Sequence, residues 1–182
     1  FRHYQNEAVV DMEGSLKEKV RVTATVRIHG ASHLVANLAG KYCIVKYFKS
    51  GKDKESPDKE ARLWNEIWSD VTGTTSWTTQ VKGREHVLVM PYVRTLEDRV
   101  GAYEGQVREA VLHMAKKGYR HMDLCSSRSG SKLHHVGVRM VDGVLKAVLV
   151  DLTEVEEFDK DDPEKVALAE GTMLEELGLQ GP

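Results

Sequence analysis

Cysteine is scarce in this chain. Cys43 and Cys125 are the only two among 182 residues. Two cysteines make no disulfide framework, so a reducing compartment is expected. Charge of one sign is lacking too. Lys and Arg number 26 against 28 Asp and Glu, a formal net charge of −2. Without a basic excess there is no electrostatic footprint for nucleic acid, and no nucleic-acid partner is expected. No apolar run approaches the roughly 20 residues that a membrane helix needs, so no membrane segment is expected either. The chain starts at Phe1 without a signal-peptide-like apolar stretch, as an excised domain would, and the expected location is intracellular, cytoplasmic or nuclear. Prolines number four, and no internal repeat or low-complexity tract interrupts the chain. What remains is ordinary for a folded protein, with 41% apolar and 30% charged residues. The length suits one domain or two small lobes, enough to bury about 70% of the unfolded surface.

The pattern along the chain predicts a sheet-rich first half and a helix-rich second half. Residues 1–19 are mixed and polar, with a short helix as the expectation. Val20, Val22, Ala24, Val26 and Ile28 then alternate with polar residues at period two, which predicts a strand. His33–Leu38 and Lys41–Phe48 read as two more strands around a turn at Ala39-Gly40, completing an antiparallel meander. After a charged loop at 50–54, Ser56-Pro57 reads as an N-cap and first helical residue. Leu63, Trp64, Ile67 and Trp68 follow on one helical stripe, and Gly73 ends it. Trp77–Val81 and His86–Met90 read as strands around a turn at Lys82-Gly83-Arg84, and Pro91 ends the sheet. Val107, Ala110, Val111, Met114 and Ala115 mark a second helix closed by Gly118. Residues 125–132 read as a flexible polar loop. Asp142-Gly143 is a hairpin turn between Val136–Met140 and Leu145–Asp151. Asp162-Pro163 starts a last helix carrying Val166, Ala169, Met173, Leu174 and Leu177, ended by Gly178. A boundary near 91–95 predicts two lobes, 1–93 and 94–182, with a ligand cleft between them.

A few polar residues need explaining. Lys46 sits in the apolar run Cys43-Ile44-Val45-Lys46-Tyr47-Phe48, where a buried lysine is costly unless paired. Glu60, in the first turns of the helix, is a candidate partner, and Glu66 competes with it. Each also has a plain reading: Lys46 on a solvated strand face, and Glu60 as a carboxylate favoured by the helix dipole. Asp123 follows a helix stop in His121-Met122-Asp123. Asp151 ends the apolar run Val148-Leu149-Val150. His134 and His135 stand just before the hairpin. With His121, these residues could bind a metal, although eight histidines make chance clusters common. The ordered set is what phosphoryl transfer needs: a lysine on phosphate, a carboxylate holding it, a base for the substrate hydroxyl, and an Asp on Mg²⁺.

From about Val20 to Leu177 the chain resembles the protein-kinase-like superfamily. CIVKYF resembles the VAIK strand, KEARLWNEIW the αC helix, and HVLVMPYV the fifth strand and hinge. HMAKKGYRHMDL resembles the αE helix leading into the HRDL loop, VLVDLT occupies the DFG position, and PEKVALAEGTMLEEL resembles αF. The resemblance implies an α+β, bilobal protein-kinase-like fold, with an antiparallel-sheet N-lobe plus αC and a truncated helical C-lobe. It implies catalytic roles for Asp123, Lys46 and Glu60. It also implies ATP against Gly30, Val35, Lys46, Met90, Tyr92 and Val93, and Mg²⁺ or Mn²⁺ on Asp151 and His135.

The departures are as specific. RIHGASHLV keeps only Gly30 of the glycine-rich loop. Cys125 replaces the usual Lys of Ser/Thr kinases, and Arg128 stands where the metal-binding Asn would be. His135 takes the position just before the hairpin strand, and imidazole suits Mn²⁺ or Zn²⁺ better than Mg²⁺. No activation segment separates Asp151 from the last helix. A short C-lobe of this kind resembles atypical minimal kinases such as the RIO type, and the kinase-like domains of secreted Crinkler-type effectors acting inside a host cell. Three readings follow: an atypical ATP-dependent kinase acting on protein Ser/Thr or another hydroxyl, a pseudokinase that binds an unidentified protein partner as a scaffold, and a metal-dependent hydrolase built on His121, Asp123, His134, His135 and Asp151.

Overall fold

The structure, a computed structural model, describes residues 2–12, 16–26, 33–38, 41–47, 56–81, 84–96, 99–126, 130–131 and 135–179. The fold is mixed α/β, with small antiparallel sheets and three α-helices among the described residues. The chain divides into two compact units. The first comprises 1–65 and 74–92, and the second comprises 66–73 and 93–182.

The first unit is an antiparallel barrel with one helix. Its strands are β1 (Arg2–Met12), β2 (Leu16–Val26), β3 (His33–Leu38), β4 (Lys41–Tyr47), β5 (Trp77–Val81) and β6 (Arg84–Pro91). They close in the order β1-β2-β3-β4-β6-β5, with β1 meeting β5 at Ala8 and Val81. The short helix expected in residues 1–19 is therefore not formed. β1 instead pairs with β2 over its whole length, from Arg2 opposite Val26 to Met12 opposite Leu16. An isolated short helix is marginal in water, and a full ladder of cross-strand hydrogen bonds outweighs such weak local preference. The strand expected from Val20 accordingly starts earlier, at Leu16. The expected turns at Ala39-Gly40 and Lys82-Gly83 lie outside the described residues, as does the loop at 50–54.

Helix α1 spans Pro57–Thr72. The Ser56 carbonyl accepts the Glu60 N–H at 3.2 Å, and its hydroxyl accepts the Lys59 N–H at 3.4 Å. Proline at the first helical position removes a donor that would have no partner anyway. Leu63, Trp64, Ile67 and Trp68 are buried, as their spacing predicts. Within the first unit, the Asn65 side chain acts like a backbone amide toward Ser76. It donates to the Ser76 carbonyl at 2.9 Å and accepts its N–H at 2.7 Å. Asp58 accepts the Thr78 hydroxyl at 2.9 Å, so two positions of α1, two helical turns apart, are tied to the start of β5.

The second unit begins with the last turns of α1 and resumes at Val93. Its elements are β7 (Arg94–Thr95), a short 3-10 turn, α2 (Glu104–Lys116), β8 (Tyr119–His121), β9 (Cys125–Ser126), β10 (Gly130–Ser131), β11 (Val136–Val141), β12 (Val144–Leu149), β13 (Val155–Glu157) and α3 (Pro163–Glu176). The polar loop expected at 125–132 thus carries the two-residue strands β9 and β10, paired at Ser126–Gly130 and Cys125–Ser131. β11 and β12 form the expected hairpin. Asp142 and Gly143 both have positive φ (49° and 78°), the turn that matches strand twist. β7 adds to β11 as a third strand, and β13 pairs with β8.

α2 packs on β12 and α3, and its Val107, Val111, Met114 and Ala115 are buried with Val148, Leu149, Met173 and Leu174. The Trp68 indole N–H donates to the Leu149 carbonyl at 3.0 Å, and its ring stacks on His113. Asp162 caps α3 by accepting the Glu164 and Lys165 N–H groups. Gly118, at φ +86°, ends α2. A Cβ there would stand 2.8 Å from the Phe158 carbonyl oxygen, which leaves no room for any other residue.

Candidate functional site

The two groups of candidate residues belong to different units, and each has its own geometry. In the first unit, β4 runs between β3 and β6, which sets Lys46 opposite His33 on one side and Leu88 on the other. Lys46 is only 5% exposed and Glu60 only 2%. The Lys46 ammonium lies 3.1 Å from Glu60 Oε1 and 2.9 Å from Oε2, so it straddles both carboxylate oxygens. The solvated-strand reading of Lys46 does not hold. A lysine and a glutamate this far from water keep their charges when they meet opposite charge, as these two do. Glu60 also sits in the first turn of α1, where the helix dipole favours a negative charge. Glu66, the competing carboxylate, instead accepts the Tyr119 hydroxyl.

Other expected nucleotide contacts are more varied. Met90 and Val93 are buried, at 4% and 3% exposure, and Tyr92 is half-buried. Val35 lies in β3 opposite Ile44. Gly30 lies outside the described residues, as do Arg128 and His134.

In the second unit, four hydrogen bonds make a closed ring around the candidate carboxylates. The Asp123 N–H donates to His121 Nδ1 at 3.1 Å. His121 Nε2 meets the Val150 carbonyl at 2.8 Å. A carbonyl only accepts, so Nε2 carries the proton and the ring is the neutral tautomer that leaves Nδ1 as acceptor. The Val150 N–H donates to the His135 carbonyl at 2.7 Å. His135 Nδ1 then donates to the Asp123 carbonyl, also at 2.7 Å, and closes the ring. This ring fixes the backbone at Asp123 and next to Asp151.

Burial pushes the His121 imidazole down to about 4, in keeping with a neutral ring used on both nitrogens. His121 therefore orients its neighbours: both ring nitrogens meet the backbone, and among the described residues the ligand atoms that cluster are those of Asp123, His135 and Asp151. Its structural role was hidden in the sequence, because its partner Val150 lies 29 residues away.

Asp151 holds φ at +60°, a left-handed conformation that costs a non-glycine residue about 1–2 kcal/mol. Such backbone, held by its surroundings, aims a side chain that a regular strand end would not. The Thr153 hydroxyl donates to Asp151 Oδ1 at 3.1 Å, a contact that sequence reasoning missed. The other oxygen, Oδ2, is 3.1 Å from His135 Nε2. Asp123 Oδ2 is 3.8 Å from His135 Nδ1. One ligand atom from each of Asp123, His135 and Asp151 falls within 4.8 Å of the others, close enough for one metal ion. His135 is buried, whereas Asp123 and Asp151 each keep 26% of the side chain exposed. The site thus has a dry imidazole wall and two carboxylates within reach of solvent.

Cys43 is the other titratable side chain of note. It is buried in β4, and burial pushes its thiol up to about 11, which keeps it protonated at neutral pH. Among the described residues no helix is long and apolar enough to cross a membrane.

The chain belongs to DUF5898, a family of unknown function, whose pattern matches residues 25–132. The match takes in Lys46, Glu60 and Asp123, and stops before His135 and Asp151. No curated protein matches the chain.

Proposed function

We propose that the protein is an ATP-dependent phosphotransferase of the atypical protein-kinase type, with a protein Ser/Thr or another hydroxyl group as acceptor. The observation that carries this reading is the Lys46–Glu60 pair: a strand lysine and a helix-start glutamate, 14 residues apart, both buried and joined at 2.9 Å. A buried ion pair contributes little net stability compared with apolar residues of the same volume. Its retention in a core is better explained by a task for the lysine, and the task that suits an ammonium held by a carboxylate is to contact phosphate.

The roles follow from the chemistry of each group. Lys46 contacts the ATP phosphates and Glu60 holds it in place. Asp123, on a backbone fixed by the His121 and His135 hydrogen bonds, accepts the proton of the acceptor hydroxyl. That oxygen bonds to the γ-phosphorus as the bond to the bridging oxygen breaks, and ADP leaves. Asp151 and His135 are the residues that would hold the divalent ion, which neutralises phosphate charge. Met90, Tyr92 and Val93 are the proposed adenine contacts.

A second reading, a pseudokinase that binds a protein partner, is favoured by the single glycine of RIHGASHLV. Fewer glycines let fewer backbone amides approach a phosphate. The two readings separate on transfer of label from γ-³²P-ATP, to the protein itself or a generic basic protein, with Mg²⁺ or Mn²⁺. The kinase reading expects metal-dependent transfer by the wild-type chain. It expects transfer to fall by 10²-fold or more in Asp123→Asn while the affinity for a fluorescent ATP analogue stays within a fewfold. Nucleotide binding without transfer, unchanged by the variant, supports the scaffold. No nucleotide binding under any metal condition overturns the kinase reading.

A further inference from the structure

We infer that the outer edge of β13 is a docking surface for a basic, extended segment of a partner protein, which adds as a third strand beside β13 and β8. This goes beyond the reading above and stands without it, since it concerns binding alone.

The edge comes first. β13 and β8 form a two-stranded antiparallel sheet, with Val155 opposite His121, Glu156 opposite Arg120 and Glu157 opposite Tyr119. Hydrogen bonds just beyond the strand ends fix the phase of the ladder. The Met122 N–H donates to the Glu154 carbonyl, and the Phe158 N–H donates to the Gly118 carbonyl, each at 2.8 Å. In an antiparallel pair, every second residue turns its N–H and C=O toward the partner strand. Glu154, Glu156 and Phe158 therefore face β8, and Val155 and Glu157 turn theirs outward. Among the described residues no strand pairs with that outward edge. Glu157 is exposed and Val155 half-buried, so an incoming strand can reach both. An open edge is a template for strand addition, in which main-chain bonds give affinity and alternate side chains give choice of partner.

Charge names the partner. Residues 154–164 hold seven acidic residues and one basic residue, Lys160, a net −6 in a chain whose total is −2. Glu154, Glu156, Glu157, Asp159 and Asp161 are exposed. The one cation on β8, Arg120, is shared, since its guanidinium lies 3.4 Å from Glu176 and 3.9 Å from Glu156. Glu154 and Glu157 have no ion-pair partner among the described residues. Acidic side chains on an edge also discourage other sheets from adding to it. A strand of three residues is already blunt by its length, so that protection does not call for so much charge. In the added strand, basic side chains fall opposite Glu154, Glu156 and Glu157, and an apolar one falls opposite Val155.

The test uses the full chain and a fluorescein-labelled peptide that repeats lysine, valine, lysine, lysine, read by fluorescence anisotropy. The same peptide with glutamate for lysine is the control. The expected result is binding in about 50 mM salt that weakens about tenfold or more at about 300 mM, and none of the acidic peptide. Hydrogen exchange at the Val155 and Glu157 amides should slow when the basic peptide is bound. Two variants separate charge from edge. Glu154→Gln/Glu156→Gln/Glu157→Gln keeps the strand and should weaken binding by about tenfold or more. Val155→Pro keeps every acid and removes an outward N–H, so it should weaken binding about fivefold or more relative to Val155→Ala. Circular dichroism checks that each variant folds.

No binding of the basic peptide in about 50 mM salt by the folded wild-type chain overturns the inference, and leaves the acids as protection against self-pairing. Binding that leaves the Val155 and Glu157 amides unprotected and is indifferent to Val155→Pro also overturns it, as a diffuse attraction between opposite charges. Protection of both amides, with weaker binding in the glutamine and proline variants, supports it.

Discussion

Lys46 and Glu60 in the first unit are both nearly out of contact with water and meet in a buried ion pair. Asp123 and Asp151 in the second unit keep 26% of their side chains exposed and are aimed by a neutral histidine, a histidine–carbonyl bond, a threonine and the backbone. The first arrangement makes each partner the condition for burying the other. The second leaves two carboxylates partly open to solvent. Substitutions in the buried pair should therefore cost more stability than substitutions at the half-open carboxylates.

The largest expected effect is on the charged pair. Lys46→Met leaves Glu60 buried without its cation and should lower unfolding free energy by about 3–5 kcal/mol, measured by urea denaturation. The double variant Lys46→Met/Glu60→Leu should recover most of that loss, because two apolar side chains of similar volume replace the pair. A single variant that costs under about 1 kcal/mol would break the comparison, since it would mean the pair is not desolvated.

His121 sharpens the comparison from the other side. Its folded pKa of about 4 lies below the ordinary 6.5, so the unfolded chain binds a proton that the native chain refuses. Its contribution is complete above about pH 6.5 and falls away as pH drops to about 4, by about 3 kcal/mol. Urea midpoints measured across that window with a chelator present should fall with pH, and His121→Asn should flatten the slope. A smaller loss, about 2 kcal/mol, is expected for Gly118→Ala, which forces a side chain into positive φ against the Phe158 carbonyl. Thermal unfolding reads it.

The smallest effect belongs to an exposed pair. Burial pushes the Asp70 carboxyl up. The Lys117 hydrogen bond at 2.9 Å and the His113 and Lys117 charges outweigh this and hold it below the ordinary carboxylate range. Its benefit is present above that range and is lost as pH falls through the lowered value. Because the carboxylate is half in water, Asp70→Asn should cost under about 1 kcal/mol, and added salt should erase the difference.

Much of this was legible in the sequence because it rests on local pattern. The stripe Leu63, Trp64, Ile67, Trp68 gave α1, and Asp142-Gly143 gave the hairpin. An apolar run interrupted by Lys46 required a partner, and Glu60 was close enough in the helix to be one. What could not be read depends on distant backbone. β1 exists because β2 pairs with it, and its own residues show no strand period. β8 and β13 are three residues each and make sense only as partners. The tautomer of His135 is set by a carbonyl 12 residues away, and the conformation of Asp151 by a positive φ that aspartate tolerates but does not announce.

Helix α1 has a consequence for anyone who cuts the chain. Its residues 57–65 count with the first unit and 66–72 with the second. A fragment starting at Val93 would omit Trp68, whose indole caps the Leu149 carbonyl, and Ile67, whose carbonyl accepts from His113 at 2.6 Å. On the ribosome those residues emerge well before the strands they serve. The second unit is thus a discontinuous segment of the gene, completed only when its last helix has been synthesised and an early stretch of chain is still at hand to join it.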